Sequence, residues 1–425
     1  LGDCIDYAIK NNISLQKQQL NRLSAVEDVK QSQKALLPTL SANTSQMVGW
    51  RPWINDQTTT VANGTLTNKI SKTYYNGSYG VNANWTVWNG NKNRNTIKLN
   101  KLTEQKAELD SAATAVQLKE QIASLYVQIL YLTEAVSVNR QSLETSIKNE
   151  ERGKTMLEVG KMSKADLAQL TAQRAQDEYN IVNAQSQIAT AKKNLKQLLE
   201  LTNVESFEIY IPEDIAETND QKALAAIPAL NDIYQAAVTT RPEIASAQLA
   251  IKSSDINIAI AKAGKMPTIG VNGSLGTSSS SMSDRDWGQQ IKTNFDAGVG
   301  VSLSVPIFDG RQTKAAVNKT TLQRRQAELD LQDKQKQLYS SIERYWQNAT
   351  SNRQRYIAAQ SNVNSQEENY NSIAEQFKVG LKNVVELTTA RTSLLQAEQE
   401  MLESKYTTVL NTQLLKFYSG ENINI

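Results

Sequence analysis

Two stretches place a carboxylate six residues after a glycine: VGKMSKAD, Val159–Asp166, and VGLKNVVE, Val379–Glu386. Lys161 and Lys164 accompany the first carboxylate, and Lys382 precedes the second by four residues. These are the positions where side-chain chemistry is concentrated, and it is electrostatic. The chain has no histidine and one cysteine, Cys4. A Ser-His-Asp triad, a disulfide framework and a Cys/His metal site are therefore excluded by counting. No Asp or Glu constellation suggests acid–base catalysis, and no cofactor motif appears. Without histidine and with only 6 Met, a soft-metal relay is also disfavoured. A glycine closing one helix and a carboxylate opening the next is the ordinary chemistry of a helical turn.

The elements that must carry those turns are long. The 425 residues include only 7 Pro and 18 Gly, so turns are few. Hydrophobic content is 40% and aromatic content 6%, which suits extended helical pairs that bury a stripe better than a globular enzyme. The net charge is +3 with no basic run, so nucleic acid is not an expected partner. No run of 18 apolar residues predicts a transmembrane helix. No leader is visible ahead of Leu1, which is compatible with a processed, exported protein.

The sequence repeats itself. LPTLSAN at Leu37–Asn43 matches MPTIGVN at Met266–Asn272, and the same offset of 229 aligns Ala8 with Ala237 and Leu15 with Ile244. Cys4 then falls opposite Ile233, so it reads as a small buried hydrophobe in preference to a lipid-anchored or reactive thiol. WNG at Trp88–Gly90 matches FDG at Phe308–Gly310 with an offset of 220, as Val159-Gly160 matches Val379-Gly380. The copies differ in length only between the proline and the WNG/FDG motif, which predicts a variable loop there.

The first copy, 1–201, reads as helix, strand pair 38–50 and 75–88, long helix 91–158 and return helix 164–201. Its opening helix is expected over about Ser14–Leu37, and its strand connection, Trp50–Tyr74, reads as irregular. The second copy, 230–425, repeats the plan with strands 268–277 and 294–307, a long helix 311–378 and a return helix 383–418. The joining loop of its strands carries SSSSMSDRD. Residues 202–229 join the copies. Each long helix would measure ~100 Å at ~1.5 Å per residue, too long for a compact domain. Leu118, Ile122, Leu125, Ile129, Leu132 and Val136 step by four and three, a coiled-coil seam, as do Ile181, Ala184, Ile188, Ala191, Leu195 and Leu198. Two short helices stacked end to end would match one long helix, with the strands at one end and the turns at the other.

The strands have two faces of different kinds. Tyr79, Val81, Ala83, Trp85 and Val87 alternate with Gly80, Asn82, Asn84 and Thr86; Val299, Val301 and Leu303 alternate with Gly298, Gly300 and Ser302. Two environments fit such strands: a small water-soluble β-cap with an apolar core, or a membrane barrel with apolar residues facing lipid. Strand length, Gly/Ser/Asn-rich polar faces, and Trp50, Trp53, Trp85 and Trp88 near the strand ends favour the barrel. Four strands cannot close one, so several chains must contribute.

SLSVPIFDGRQTKAAV, the repeated LPTL/MPTI and the two VG turns resemble the TolC-like outer-membrane efflux protein family across essentially the whole chain. The resemblance implies an α+β membrane protein: a long coiled-coil α-helical barrel continuous with a transmembrane β-barrel, four strands per chain, closed by homotrimerisation. It implies an outer-membrane location in a Gram-negative cell with a long periplasmic extension. It also implies passive transport in a tripartite system, with a periplasmic adaptor (membrane fusion) protein and an inner-membrane pump of RND or ABC type. Tyr79, Val81, Val87, Val299, Val301 and Leu303 would face lipid, and 202–229 would belong to an equatorial belt. Val159, Gly160, Lys161, Val379, Gly380, Leu381 and Lys382 would form the periplasmic tip that docks the adaptor. Asp166 and Glu386 would gate the entrance, although Thr389 stands where many relatives carry a second acidic residue. Both gate carboxylates equally fit solvated helix starts. The rival to a duct is a soluble periplasmic coiled-coil adaptor or scaffold, which accounts for the helices but not for the two-faced strands.

Overall fold

The computed structural model describes residues 1–55, 57–61, 64–68, 71–201, 207–211 and 215–424. The first copy contains α1 (Gly2–Asn11), α2 (Ile13–Lys34), β1 (Thr39–Trp50), β2 (Gln57–Val61), β3 (Gly64–Asn68), β4 (Thr73–Asn89), α3 (Lys92–Glu158) and α4 (Lys164–Leu198). After α5 (Ile215–Leu224) come α6 (Leu230–Thr240), α7 (Pro242–Lys262), β5 (Thr268–Ser280), α8 (Trp287–Thr293), β6 (Asp296–Ser304), α9 (Gln312–Lys378) and α10 (Val384–Tyr418). The chain divides into two compact units: residues 1–22, 106–248 and 329–425, and residues 23–105 and 249–328.

In the first unit the two copies build two equivalent cores. Leu118, Ile122, Ile129 and Leu195 pack with Ala8 and Leu15. Leu338, Ile342, Ala349 and Leu415 pack with Ala237 and Ile244. These are the same positions at the offsets read from the sequence. Cys4 packs against the first cluster, where burial pushes its thiol up from the ordinary range. The opening helix expected over about Ser14–Leu37 is α2, and a further helix, α1, precedes it across a break at Asn12. Asn12 Oδ1 accepts from the Ser14 and Leu15 amides at 3.0 and 3.3 Å and so caps α2, while Asn12 Nδ2 donates to the Leu198 carbonyl at 3.1 Å. The second copy breaks at the matching place, because Pro242 sits at the first position of α7.

The second unit carries an antiparallel sheet of order β1-β4-β5-β6. Val81 lies opposite Ala42 and Leu275, and Asn82 opposite Ser41 and Ser274, so each face keeps its character across strands. Both edges, β1 and β6, are open among the described residues. A bulge between Thr86 and Trp88 interrupts the alternation. Val87 is the extra residue, and Trp88 takes the place opposite Ile269. Each copy leaves its second strand through two consecutive left-handed residues, Gly90-Asn91 and Gly310-Arg311, which accounts for the WNG and FDG motifs.

Three expected boundaries change. The 50–74 connection is not wholly irregular: β2 and β3 pair there as a hairpin, with residues 56, 62–63 and 69–70 outside the described ones. The 202–229 joining segment contains α5, while 202–206 and 212–214 fall outside the described residues. The first three serines of SSSSMSDRD finish β5, and the rest of the run leads into α8. No helix among the described residues is long and apolar enough to cross a membrane.

Candidate functional site: two helical turns and the polar layer behind them

The turns after α3 and α9 are built alike. Gly160 and Gly380 close their helices at φ +71° and +78°. At each, two backbone bonds tie off the helix end: Gly160 to Leu157 at 3.0 Å and Lys161 to Met156 at 2.8 Å; Gly380 to Phe377 at 3.1 Å and Leu381 to Gln376 at 2.9 Å. No atom lies within 4 Å of where a Cβ would stand on either glycine, so the conformation demands glycine and crowding does not. Beside them Val159, Val379 and Leu381 present their side chains to solvent, Leu381 at 75%. Such apolar exposure on two short turns is the feature a docking partner would cover.

Both candidate gate carboxylates act first as caps. The Asp166 amide donates to Ser163 Oγ at 3.0 Å, and the Asp166 carboxylate accepts from the same hydroxyl at 2.7 Å. The Glu386 amide donates to Asn383 Oδ1 at 2.9 Å, and its carboxylate accepts from the Asn383 amide at 3.1 Å. Each pair is a capping box, which satisfies donors that a helix start leaves open. Glu386 also accepts from Lys382. The Lys382 ammonium, then the Asn383 amide, hold the Glu386 carboxyl below the usual carboxylate range. Asp166 is answered by its own cap and not by Lys161 or Lys164. Leu170, Phe377, Val384 and Leu387, with Met156 and Met162, form one apolar cluster from all four helices, so the two turns are held side by side.

Behind this cluster lies a layer that sequence reasoning missed. Asp177 is 1% exposed and Arg391 4%. Arg391 Nη1 meets Asp177 Oδ2 at 2.9 Å, and Nη2 donates to the Ser142 carbonyl and hydroxyl. Asp177 accepts from Ser146, and from Gln173 at 3.3 Å. One buried ion pair thereby fastens α3, α4 and α10. Nearby, Glu150 takes Arg174 at 2.9 Å, Lys154 at 3.2 Å and Thr171 at 3.1 Å. Burial opposes ionisation of Glu150, but Lys154, Thr171 and Arg174 outweigh it and hold its carboxyl below the usual range. Further along α10, buried Lys405 pairs with Glu134 at 2.8 Å and Asp220 at 3.3 Å. Glu398 packs near Glu367, and burial followed by that second carboxylate pushes its carboxyl up. The signal was present: Asp177 lies at heptad spacing between Leu170 and Ala184, and Arg391, Glu398 and Lys405 follow Val384 at sevens.

The strand residues are placed as follows. Val299, Val301 and Leu303 are exposed, Val301 at 74%, and Val81 is half-buried on the same face. Tyr79 is half-buried, its ring meeting Trp287 edge-on at 6.2 Å between centroids. Among the described residues no cluster of acidic residues and cysteine could hold a metal.

A family model described as outer membrane efflux protein matches residues 4–200 and 233–421, one segment per copy. The outer membrane efflux protein BepC of Brucella suis is 20% identical over 345 residues, covering 81% of this chain and 72% of that protein. The outer membrane protein TolC of Escherichia coli is 21% identical over 438 residues, covering 96% and 80%. Among solved structures CusC, reported for folding and transmembrane channel formation, superposes with a TM-score of 0.83 at 17% identity, covering 99% of this chain and 92% of that one. With its two copies, two-faced sheet and paired turns, the chain belongs to the outer membrane efflux protein family.

Proposed function

We propose that this chain is one subunit of a passive outer-membrane exit duct for efflux or secretion, closed as a homotrimer and fed by a periplasmic adaptor and an inner-membrane pump. The observation that carries the reading is the sheet. Its exposed apolar face runs through Val299, Val301 and Leu303, its other face is Gly, Ser and Asn, and both of its edges are open. In water, open edges beside an apolar face would aggregate; in a closed ring of several copies the edges vanish and the apolar face meets lipid. The nine residues of β6 run ~30 Å and, tilted by ~40°, cover ~23 Å, close to the ~25 Å apolar band of outer-membrane barrels. A coiled-coil scaffold has no use for such a sheet. The protein supplies a path, a gate and a docking surface, and performs no catalysis of its own.

The test compares Val301→Arg with Ser302→Arg, neighbours on opposite faces. The first is expected to abolish the heat-sensitive trimer band on a denaturing gel, at ~2–4 kcal/mol if the site lies near the bilayer midplane. The second is expected to retain the trimer. Equal tolerance would remove the barrel reading.

In this reading the paired turns are the entrance, with Val159, Val379 and Leu381 meeting the adaptor. Glu386 with Lys382, and Asp166 at the neighbouring turn, hold the closed state. Because both carboxylates are also caps, alanine would confuse the two roles. Glu386→Gln with Asp166→Asn keeps acceptors at both caps and removes both charges. That double variant is expected to conduct more than wild type in a planar bilayer without adaptor. Unchanged conductance with intact trimers would leave the carboxylates as caps only.

A further inference from the structure

The outward face of the sheet changes character at one row. Below it stand Ala42, Val81, Leu275 and Ala297, all apolar and in register. One step further toward the β5–β6 connection stand Thr44, Tyr79 and Thr277; one step beyond that, Gln46 and Ser279. These residues occupy the same face, since alternation along β4 and β5 is unbroken there. Beyond them the same face carries Val48 opposite Tyr75, then Trp50, so a band of hydroxyl and amide groups interrupts it, and Tyr79 marks the boundary between that band and the apolar run through Val81.

α8 lies on that boundary. β5 runs past β6, leaving an unpaired stretch after Gly276. The loop fills it: the Ser280 amide donates to Gln290 Oε1 at 2.7 Å, and Asn294 donates to the Ser278 carbonyl at 2.7 Å. Thr277 Oγ1 donates to the Ile291 carbonyl at 2.8 Å, and Trp287 reaches across to the ring of Tyr79. Both Thr277 and Tyr79 point from the apolar face, so the loop folds back over the outside wall and not over the polar side. Trp287 stays 58% exposed, and Phe295 is exposed beside the groove formed by Tyr79, Val81 and Leu275.

We propose that α8 with Trp287 and Phe295 is an interfacial strap that seats in the headgroup layer of the outer leaflet and fixes the height of the barrel in the membrane. The Trp287 indole and the Tyr79 phenol against it favour that layer because one end is apolar and the other hydrogen-bonds water, and the Phe295 ring adds apolar area. The strap is continuous with the face assigned to lipid, and it rests on that assignment. Its attraction is aromatic and not ionic: Asp284, Asp286 and Asp296 offset Arg285 and Lys292.

The test is depth-dependent quenching. Cysteine is introduced as Trp287→Cys or Phe295→Cys in a Cys4→Ala chain, labelled with a small apolar fluorophore, and the trimer is reconstituted in phosphatidylethanolamine/phosphatidylglycerol vesicles. Lipids carry a nitroxide either at the headgroup or at mid-chain; Val301→Cys and Ser302→Cys are the references. The label at 287, and that at 295, should lose more emission to the headgroup nitroxide than to the mid-chain one, equally in low and high salt. Val301→Cys should show the reverse, and Ser302→Cys little loss to either. Labels at 287 and 295 that neither nitroxide quenches, with the 301 label still quenched at mid-chain, would overturn the strap and place the loop in water. A 301 label that is not quenched would instead overturn the lipid-facing sheet. Quenching at 287 that disappears in high salt would overturn the aromatic account.

Discussion

Removing Asp177 should loosen the fastening between α4 and α10 without touching either turn. In Asp177→Leu the guanidinium of Arg391, almost fully buried, loses its 2.9 Å carboxylate partner and keeps its bonds to Ser142. Breaking a buried pair from one side costs ~3–5 kcal/mol, because the remaining charge is stranded. At ~1.4 kcal/mol per factor of ten, local opening becomes roughly 10²- to 4 × 10³-fold more frequent. Hydrogen exchange of the α4 and α10 amides in the reconstituted trimer reads this directly, with the α2 amides as an internal reference. Arg391→Met should have a similar effect from the other side. The double variant, Asp177→Leu with Arg391→Met, leaves no stranded charge and should recover most of the protection, because apolar replacement of a whole buried pair is often neutral. Single variants that exchange like wild type, or a double variant as fast as the two singles combined, would refute the claim that this pair holds the helices.

Gly380→Val should cost roughly 1–2 kcal/mol through its left-handed backbone alone, abolish transport and leave trimers in the membrane; loss of trimers would make the glycine a folding determinant. Gly380→Ala should fall between the two in a transport assay. Acid should open the entrance late. The folded pKa of Glu386 is depressed, so its pairing is intact above the ordinary carboxylate range and is lost as pH falls through the lower folded value. Bilayer conductance should therefore stay flat from about pH 7 to 5 and rise below about pH 4, and Glu386→Gln should remove the part of that rise due to this pair.

Most of the architecture could be read before any coordinates because it is periodic. Two offsets located the copies, and alternation located β4 and β6. The parts that could not be read depend on contacts distant in sequence. The bulge at Val87 is invisible to a period count, since only the pairing of Trp88 with Ile269 reveals it. The fold of α8 over Tyr79 depends on β5 outrunning β6, a difference of a few residues that composition does not mark. At the turns, spacing marks Gly160 and Gly380 as helix ends and Asp166 and Glu386 as helix starts, but it does not mark their capping partners Ser163 and Asn383, although both stand three residues ahead. The buried charges escape a seam traced through apolar residues alone, because Asp177 and Arg391 occupy the same heptad lines without being apolar.

Those charges have a consequence for how α10 finds its place. A 35-residue helix with apolar residues repeating at sevens can slide one heptad, about 10 Å, and present a similar surface. Arg391, Glu398 and Lys405 remove that degeneracy, because the sign alternates along the line. A slip in one direction would set Glu398 beside Asp177; in the other it would set Glu398 beside Glu134. Either error drives two carboxylates together where water is scarce. Correct alignment is thus encoded as a three-symbol key of plus, minus and plus, and the heights of the two turns are set by it some twenty residues away from where they are used.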